Sequence, residues 1–219
     1  MKGFFITFEG SEGCGKSTQI PLLVERLRSA GYREVLALRE PGGTAIGEEI
    51  RHTLQYSKVN EAMTPEAELL LMNASRAQLV REIIRPALTA GRIVVCDRFY
   101  DSTVAYQGYG RGLDLERVRE VIDLAVGETR PDLTLYLRVA PAVSAARLQA
   151  RKTAAPVRDR FEESGQSFFE RVVRGYEAIA AAEPRRVHAL EADGAVNTVS
   201  EAIWNLVRPR LPTAASPAG

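Results

Sequence analysis

Residues Gly10 to Ser17 read Gly-Ser-Glu-Gly-Cys-Gly-Lys-Ser: two outer glycines with four residues between them, then a lysine and a serine. That spacing suits a polyphosphate. A phosphate chain is a dense anion that must be wrapped by donors, and glycines let successive backbone N–H groups turn inward with no Cβ in the way. Gly10, Gly13 and Gly15 supply this freedom, and Ser11, Glu12 and Cys14 are the remaining positions of the loop. Lys16 is placed to reach the outer phosphates and Ser17 to offer a hydroxyl to a magnesium ion, while the helix starting near Lys16 aims its positive end at the anion. The chemistry predicted is the binding and use of ATP with Mg2+. Such a pattern arises by chance in roughly one chain in a hundred of this size, given ~7% glycine. The flanks strengthen it, with the apolar run Phe4 to Phe8 before the loop and Ile20, Leu23 and Leu27 at helical spacing after it. Pro21 removes one N–H in the opening turns of that helix, a perturbation expected to be tolerated.

A second polar set follows Asp97, which ends the apolar run Ile93 to Cys96. A strand-ending aspartate is commonplace in loops, but it is also where a P-loop enzyme holds magnesium, directly or through water. Its neighbours decide the balance. Arg98, Phe99, Ser102, Thr103, Tyr106 and Gln107 crowd polar and aromatic groups into a short stretch, as the wall of a pocket for a second substrate would.

To hold these groups the chain must supply strands with loops at their carboxyl ends. Short apolar runs recur at Glu34 to Leu38, Ile93 to Cys96, Leu133 to Val139 and Val187 to Leu190, separated by helix-patterned sequence. Helices are expected around Ile46 to Leu54, from Thr64-Pro65-Glu66 to Arg85 with Pro86 as the stop, and over Leu115–Ala125, Pro141–Ala150, Phe168–Ala182 and Thr198–Val207. The alternation predicts an α/β fold, a five-stranded parallel sheet flanked by helices, with ligands at the strand ends.

The chain has 219 residues, enough to bury ~70% of its unfolded surface in one domain. That domain is expected to cover residues 1–208, with a lid near 151–165 and a frayed tail over 209–219. Net charge is +1, which argues against a broad nucleic-acid surface. Of 29 basic residues only Lys2, Lys16, Lys58 and Lys152 are lysines, so a lysine kept in the glycine loop suggests a need for a compact, mobile ammonium there. Cys14 and Cys96 form no Cys-x-x-Cys pair, and His52 and His188 are isolated, so neither a disulfide framework nor a zinc site is expected. No apolar leader or membrane-spanning run is evident, and a cytoplasmic setting is expected.

The stretch Asp97 to Arg111 runs Asp-Arg-aromatic, then Ser-Thr-x-Ala-Tyr-Gln-Gly-x-Gly-Arg. Together with Arg39-Glu40-Pro41-Gly42-Gly43-Thr44 it resembles the thymidylate kinases, within the nucleoside monophosphate kinase family. The likeness covers about residues 3 to 207. It implies transfer of the γ-phosphoryl of ATP to thymidine monophosphate, giving the diphosphate on the route to dTTP, by a magnesium-dependent homodimer. Two anionic phosphates must then meet, and even single charges ~4 Å apart repel by about 4 kcal/mol at an effective dielectric of 20, so cations must converge. By resemblance Arg98 and Arg51 contact the acceptor's phosphate, Arg76 lies near its base, and Pro41 belongs to the acceptor set. Ser102, Thr103, Tyr106 and Gln107 match the segment that reads thymine and presses on the sugar, where a bulky Tyr106 favours deoxyribose. Met72 stands where the family commonly stacks an aromatic ring on thymine; a methionine is polarizable enough to cover a ring. Glu12 matches an acidic position near the acceptor's sugar and the metal's waters. The loop carries no arginine, which by resemblance moves the transferring arginine to the lid, with Arg151 and Arg160 as candidates and Asp159-Arg160-Phe161-Glu162 matching the bacterial lid end.

Three rivals remain to be weighed. A switch GTPase is disfavoured by the lack of Asp-x-x-Gly after the third strand and of Asn-Lys-x-Asp. A P-loop kinase for another nucleoside monophosphate or a deoxynucleoside is the alternative, and a non-catalytic nucleotide-binding regulator would bind ATP without acceptor-dependent turnover.

Overall fold

Alternation along the first strand decides what faces where. Phe4–Glu9 forms β1, and successive side chains point to opposite faces. Phe5 therefore enters one buried cluster, while Ile6 and Phe8 enter another behind it. Thr7 and Glu9 share the side of Phe5, which becomes important at the site. β2 (Val35–Arg39), β3 (Ile93–Asp97), β4 (Leu133–Arg138) and β5 (Val187–Glu191) complete a wholly parallel sheet in the order β2-β3-β1-β4-β5. This computed structural model describes residues 3–154, 160–161 and 164–213, with side chains through residue 150 in the first stretch.

The helices are α1 (Lys16–Ser29), α2 (Ala45–Gln55), α3 (Pro65–Leu79), α4 (Arg85–Thr89), α5 (Tyr100–Thr103), α6 (Leu115–Val126), α7 (Pro141–Ala154), α8 (Gln166–Ala182) and α9 (Val196–Val207). Ile20, Leu23 and Leu27 of α1 and Val199 and Ile203 of α9 cover the Ile6 face. On the other face, Leu69 and Leu79 of α3, Val118 and Ile122 of α6, and Val172 and Tyr176 of α8 pack around Phe5 and Phe99. Side-chain caps begin several helices: Thr44 Oγ1 accepts from the Gly47 amide, Thr64 Oγ1 from Ala67, and Asp114 Oδ1 from Glu116 and Arg117. Pro21 is carried inside an unbroken α1, as expected.

Three local expectations are corrected. Pro86 does not stop the third helix: α3 opens into a π-helical turn over Val80–Ile84 and continues as α4 with Pro86 in its first turn. A widened turn relieves the clash between the proline ring and the carbonyl four residues earlier. Residues 100–110, read only as a pocket wall, are helical, with α5 running into a π-helical stretch over Val104–Gly110. Residues 209–213 do not fray. Leu211 leans on the α1/α9 core, and the Tyr32 hydroxyl donates to Pro212 O at 2.6 Å; residues 214–219 of the expected tail lie outside the described residues.

Candidate active site

β1 is the middle strand, and the chain leaves it through Gly10, Gly13 and Gly15, whose φ angles of 137°, 73° and 100° are ones that side chains rarely tolerate. The loop delivers the chain to the first turn of α1. Lys16 is buried there, its Nζ donating to Gly10 O at 3.1 Å and Ser11 O at 3.2 Å and lying 3.4 Å from Cys14 Sγ. A cation is thus already held at the mouth of the loop by the loop's own carbonyls.

Arg98 joins the two halves of the site. Among the described residues it is the one non-glycine residue with a left-handed backbone, φ 67°, pinned by its amide bond to Phe8 O. The twist turns its guanidinium across the end of β1. Nη1 donates to Gly10 O at 2.9 Å and to the Ser102 and Tyr176 hydroxyls at 3.1 Å each, and Nη2 donates to Glu12 Oε1 at 2.5 Å and Tyr106 Oη at 3.2 Å. Burial opposes the charge, but the oxygens of Tyr106, Glu12, Tyr176 and Asp97 outweigh it and raise the Arg98 pKa well above its ordinary value. A permanent cation therefore links the glycine loop to the segment after β3.

Glu9 was not singled out from the sequence. It is fully buried, with Oε1 accepting from the Phe99 amide at 2.8 Å and Oε2 accepting from the Ser102 hydroxyl at 2.6 Å and the Tyr176 hydroxyl at 3.0 Å. Desolvation, helped by Asp101 and opposed by Arg98, raises its pKa from 4.5 to about 7. Its position at the end of β1, directly before the loop, was the available signal.

Asp97 ends β3 beside Phe8 and Arg39 in the sheet register. Its Oδ1 is buried and lacks a hydrogen-bond partner among the described residues, while Ser17 is exposed in the first turn of α1. An orphaned carboxylate oxygen and an exposed hydroxyl at the end of the glycine loop suit a hard cation that takes its remaining ligands from phosphates and water. Among the described residues no group of three acidic, histidine or cysteine side chains could cage a metal alone, so these residues fit a magnesium ion shared with substrate.

On the acceptor side, Arg76 is only 2% exposed. Its Nε donates to Glu40 Oε2 at 2.7 Å, Nη1 to Asn73 Oδ1 at 2.8 Å and Thr103 Oγ1 at 3.0 Å, and Nη2 to Phe99 O at 3.2 Å. Protein groups thus occupy most of its five N–H donors. Desolvation raises the Glu40 pKa to about 7 against the pull of Arg76. Arg51 Nη1 donates to Pro41 O at 3.0 Å and its Nη2 to Tyr56 Oη at 3.3 Å. Met72 is half-buried against the Phe5 core. Tyr106 meets Phe161, Phe168 and Tyr176 edge to face, at centroid distances of 6.2, 5.9 and 6.4 Å. Gln107 is buried and donates to Glu68 Oε1 at 2.6 Å.

The two lid candidates fare differently. Arg160 is not brought to the glycine loop: it is drawn instead to the buried Glu68, where Nη2 forms an ion pair while Nε donates to Leu54 O at 3.3 Å. The side chain of Arg151 lies outside the described residues, although its backbone is part of α7. Sequence reasoning also missed Arg147 on α7, whose Nη1 donates to Gly13 O and Nη2 to Ala192 O, both at 3.2 Å. It borders a cavity of about 310 Å3 lined further by Gly15, Thr18, Gly194 and Val196. Nothing in the sequence singled out Arg147 among the many arginines.

Comparisons with known proteins agree on one description. A family model described as thymidylate kinase matches residues 8–203. The chain is 51% identical to a thymidylate kinase of Synechococcus sp. over 96% of its own length and 97% of the relative's. It is 48% identical to one from Pseudomonas fluorescens, over 96% and 97% respectively. Among solved structures, the thymidylate kinase from Ehrlichia chaffeensis superposes with a TM-score of 0.75 at 33% identity, covering 95% of this chain and 99% of that one.

Proposed function

We propose, from the premise that this chain belongs to the thymidylate kinase family, that Lys16, Arg98, Glu12 and the 102–107 segment are its transfer machinery. The chain is an ATP-dependent phosphotransferase that converts thymidine monophosphate to the diphosphate, a step of dTTP synthesis. An acceptor phosphate oxygen attacks the γ-phosphorus in line, the bond from that phosphorus to the β,γ-bridging oxygen breaks, and ADP leaves with the electron pair. Little covalent work falls to the protein, so positioning and charge neutralisation carry the rate.

Lys16 and the amides of Gly13 and Gly15 would hold the donor's phosphates. The cavity between Arg147 and Val196, next to the loop, has the room for the adenine. Ser17 and Asp97 would hold magnesium, which when bound neutralises charge on the donor phosphates. Arg98 is the observation that carries the reading: one guanidinium contacts Gly10 and Glu12 of the donor loop and Ser102 and Tyr106 of the acceptor wall. A group so placed can hold the acceptor's phosphate against the donor's. Arg51 and Pro41 would border that phosphate and Arg76, Met72, Thr103 and Gln107 the base, while Tyr106 would press on the sugar. Arg151, four residues after Arg147 on α7, is the better candidate for the bridging lid arginine, since Arg160 has a buried partner elsewhere. We further assign a cytoplasmic homodimer.

The test is ADP release measured across a panel of nucleoside monophosphates with ATP and Mg2+. Turnover with thymidine monophosphate is expected to exceed that with the others; ATP binding without acceptor-dependent turnover would overturn the assignment. Lys16→Ala should lower kcat on the order of 10²-fold or more with the fold retained, and retained activity would remove Lys16 from the machinery.

A further inference from the structure

Glu68 lies in the first turn of α3, is fully buried, and was not marked by any motif. Three side chains converge on its carboxylate. Gln107 Nε2 donates to Oε1 at 2.6 Å, Arg111 reaches Oε2 at 3.0 Å through Nη2, and Arg160 forms its ion pair with the same oxygen. The two guanidinium groups account for Arg111 and Arg160 as structural ties. The bond to Gln107 does something different.

A primary amide has a donor end and an acceptor end of nearly the same shape, and it can present either one to a ligand. An ion-paired carboxylate accepts only. Bonded to Glu68, the Gln107 side chain must turn its NH2 group inward, which leaves its carbonyl oxygen as the group available to a substrate. Gln107 lies four residues after Thr103, the residue that touches Arg76, and both belong to the set proposed above to border the base. Thymine carries a donor at N3–H, whereas cytosine carries an acceptor at N3. The fixed amide is complementary to the first and repels the second.

We infer that Glu68 is a positioning residue for base selection: by locking the orientation of the Gln107 amide it makes the site demand a pyrimidine with a hydrogen at N3. The inference rests on the thymidylate-kinase reading of the site. A buried acceptor left facing another acceptor is a strong basis for discrimination, stronger than a change of size.

The readout is the ratio of kcat/KM for thymidine monophosphate to that for 5-methyl-deoxycytidine monophosphate, which keeps the methyl group and differs only at positions 3 and 4. In Glu68→Gln the partner can donate as well as accept, so Gln107 can turn over, and the ratio should fall at least tenfold. Arg111→Gln keeps the Gln107 bond; it should lower both substrates alike and leave the ratio within twofold. A Glu68→Gln ratio equal to that of the wild type would overturn the inference, whereas a wild type inactive on thymidine monophosphate would overturn the function itself. Should Glu68→Gln fail to fold, the wild-type protein still decides. Its Gln107 side-chain amide should show by NMR one proton shifted downfield and protected from exchange, with and without thymidine monophosphate, and two freely exchanging protons would sink the idea.

Discussion

At the scale of single residues, the site is organised by charges placed where water cannot reach them. Glu9 illustrates the consequence. Three donors hold its carboxylate, and Arg98, Asp101 and Tyr176 surround it, yet burial dominates and raises its pKa from 4.5 to about 7. Between those values the folded protein keeps a proton that the unfolded chain has released. Stability must therefore fall as pH rises through about 4.5 to 7 and level off above that window, and Glu40, shifted in the same direction, adds to the slope. Each shift corresponds to on the order of 3 kcal/mol at most. Glu9→Gln, which cannot ionise, should lose its share: urea unfolding at pH 5, 6, 7 and 8 should give a flatter profile than the wild type. An unchanged slope would mean that Glu9 titrates normally.

At the scale of elements, the acceptor wall depends on how closely the 100–110 segment lies on α8. A Cβ added at Gly175 would stand 3.0 Å from Ala105 Cα and from the Tyr109 ring, and one at Gly110 would stand 2.6 Å from Phe168 Cε2. Gly175→Ala should thus cost about 1–3 kcal/mol by overpacking. Because Tyr106 and Gln107 sit on the displaced segment, the KM for thymidine monophosphate should rise while the KM for ATP stays nearly constant. Equal shifts in both would mean that the strain spreads beyond the acceptor side. The same segment shows where sequence reading stopped. The strands and the glycine loop were legible because short apolar runs and glycine spacing are local signals, and β1, β3 and β4 arose where those runs lie. The helix over 100–110 was not, since Gly108 and Gly110 carry no helical signal and serve close approach, Gly108 to Leu115 of α6 and Gly110 to Phe168 of α8. Glu9 and Glu68 were missed because their partners come from distant elements, Phe99 and Ser102 in one case and Gln107, Arg111 and Arg160 in the other. Arg160 has the same kind of partner: its match to the bacterial lid end pointed to the donor, and nothing nearby in the sequence announced the buried Glu68 with which it pairs.

At the scale of the whole molecule, the layer formed by α2, α3 and α6 leaves apolar surface outward. Ile46 is 56% exposed, Leu70 58% and Leu124 79%, on helices that pack side by side, α2 on α3 and α3 on α6. A second copy of the chain is the occupant proposed for that layer. Since α3 also carries Glu68, Met72 and Arg76, a partner seated on its outer side would stiffen the helix whose inner side is proposed to border the base. Association and acceptor binding should then be linked, because whatever favours the ordered helix favours both. Leu70→Glu combined with Leu124→Glu places like charges in the contact and should move the mass measured by light scattering from dimer to monomer. The monomer should keep its affinity for ATP, whose proposed site lies beside α1 and α7, and lose several-fold in affinity for thymidine monophosphate. A wild-type chain that is monomeric at micromolar concentration would rule out the dimer, and a monomeric variant with undiminished acceptor affinity would show that α3 needs no partner to hold the base pocket in shape.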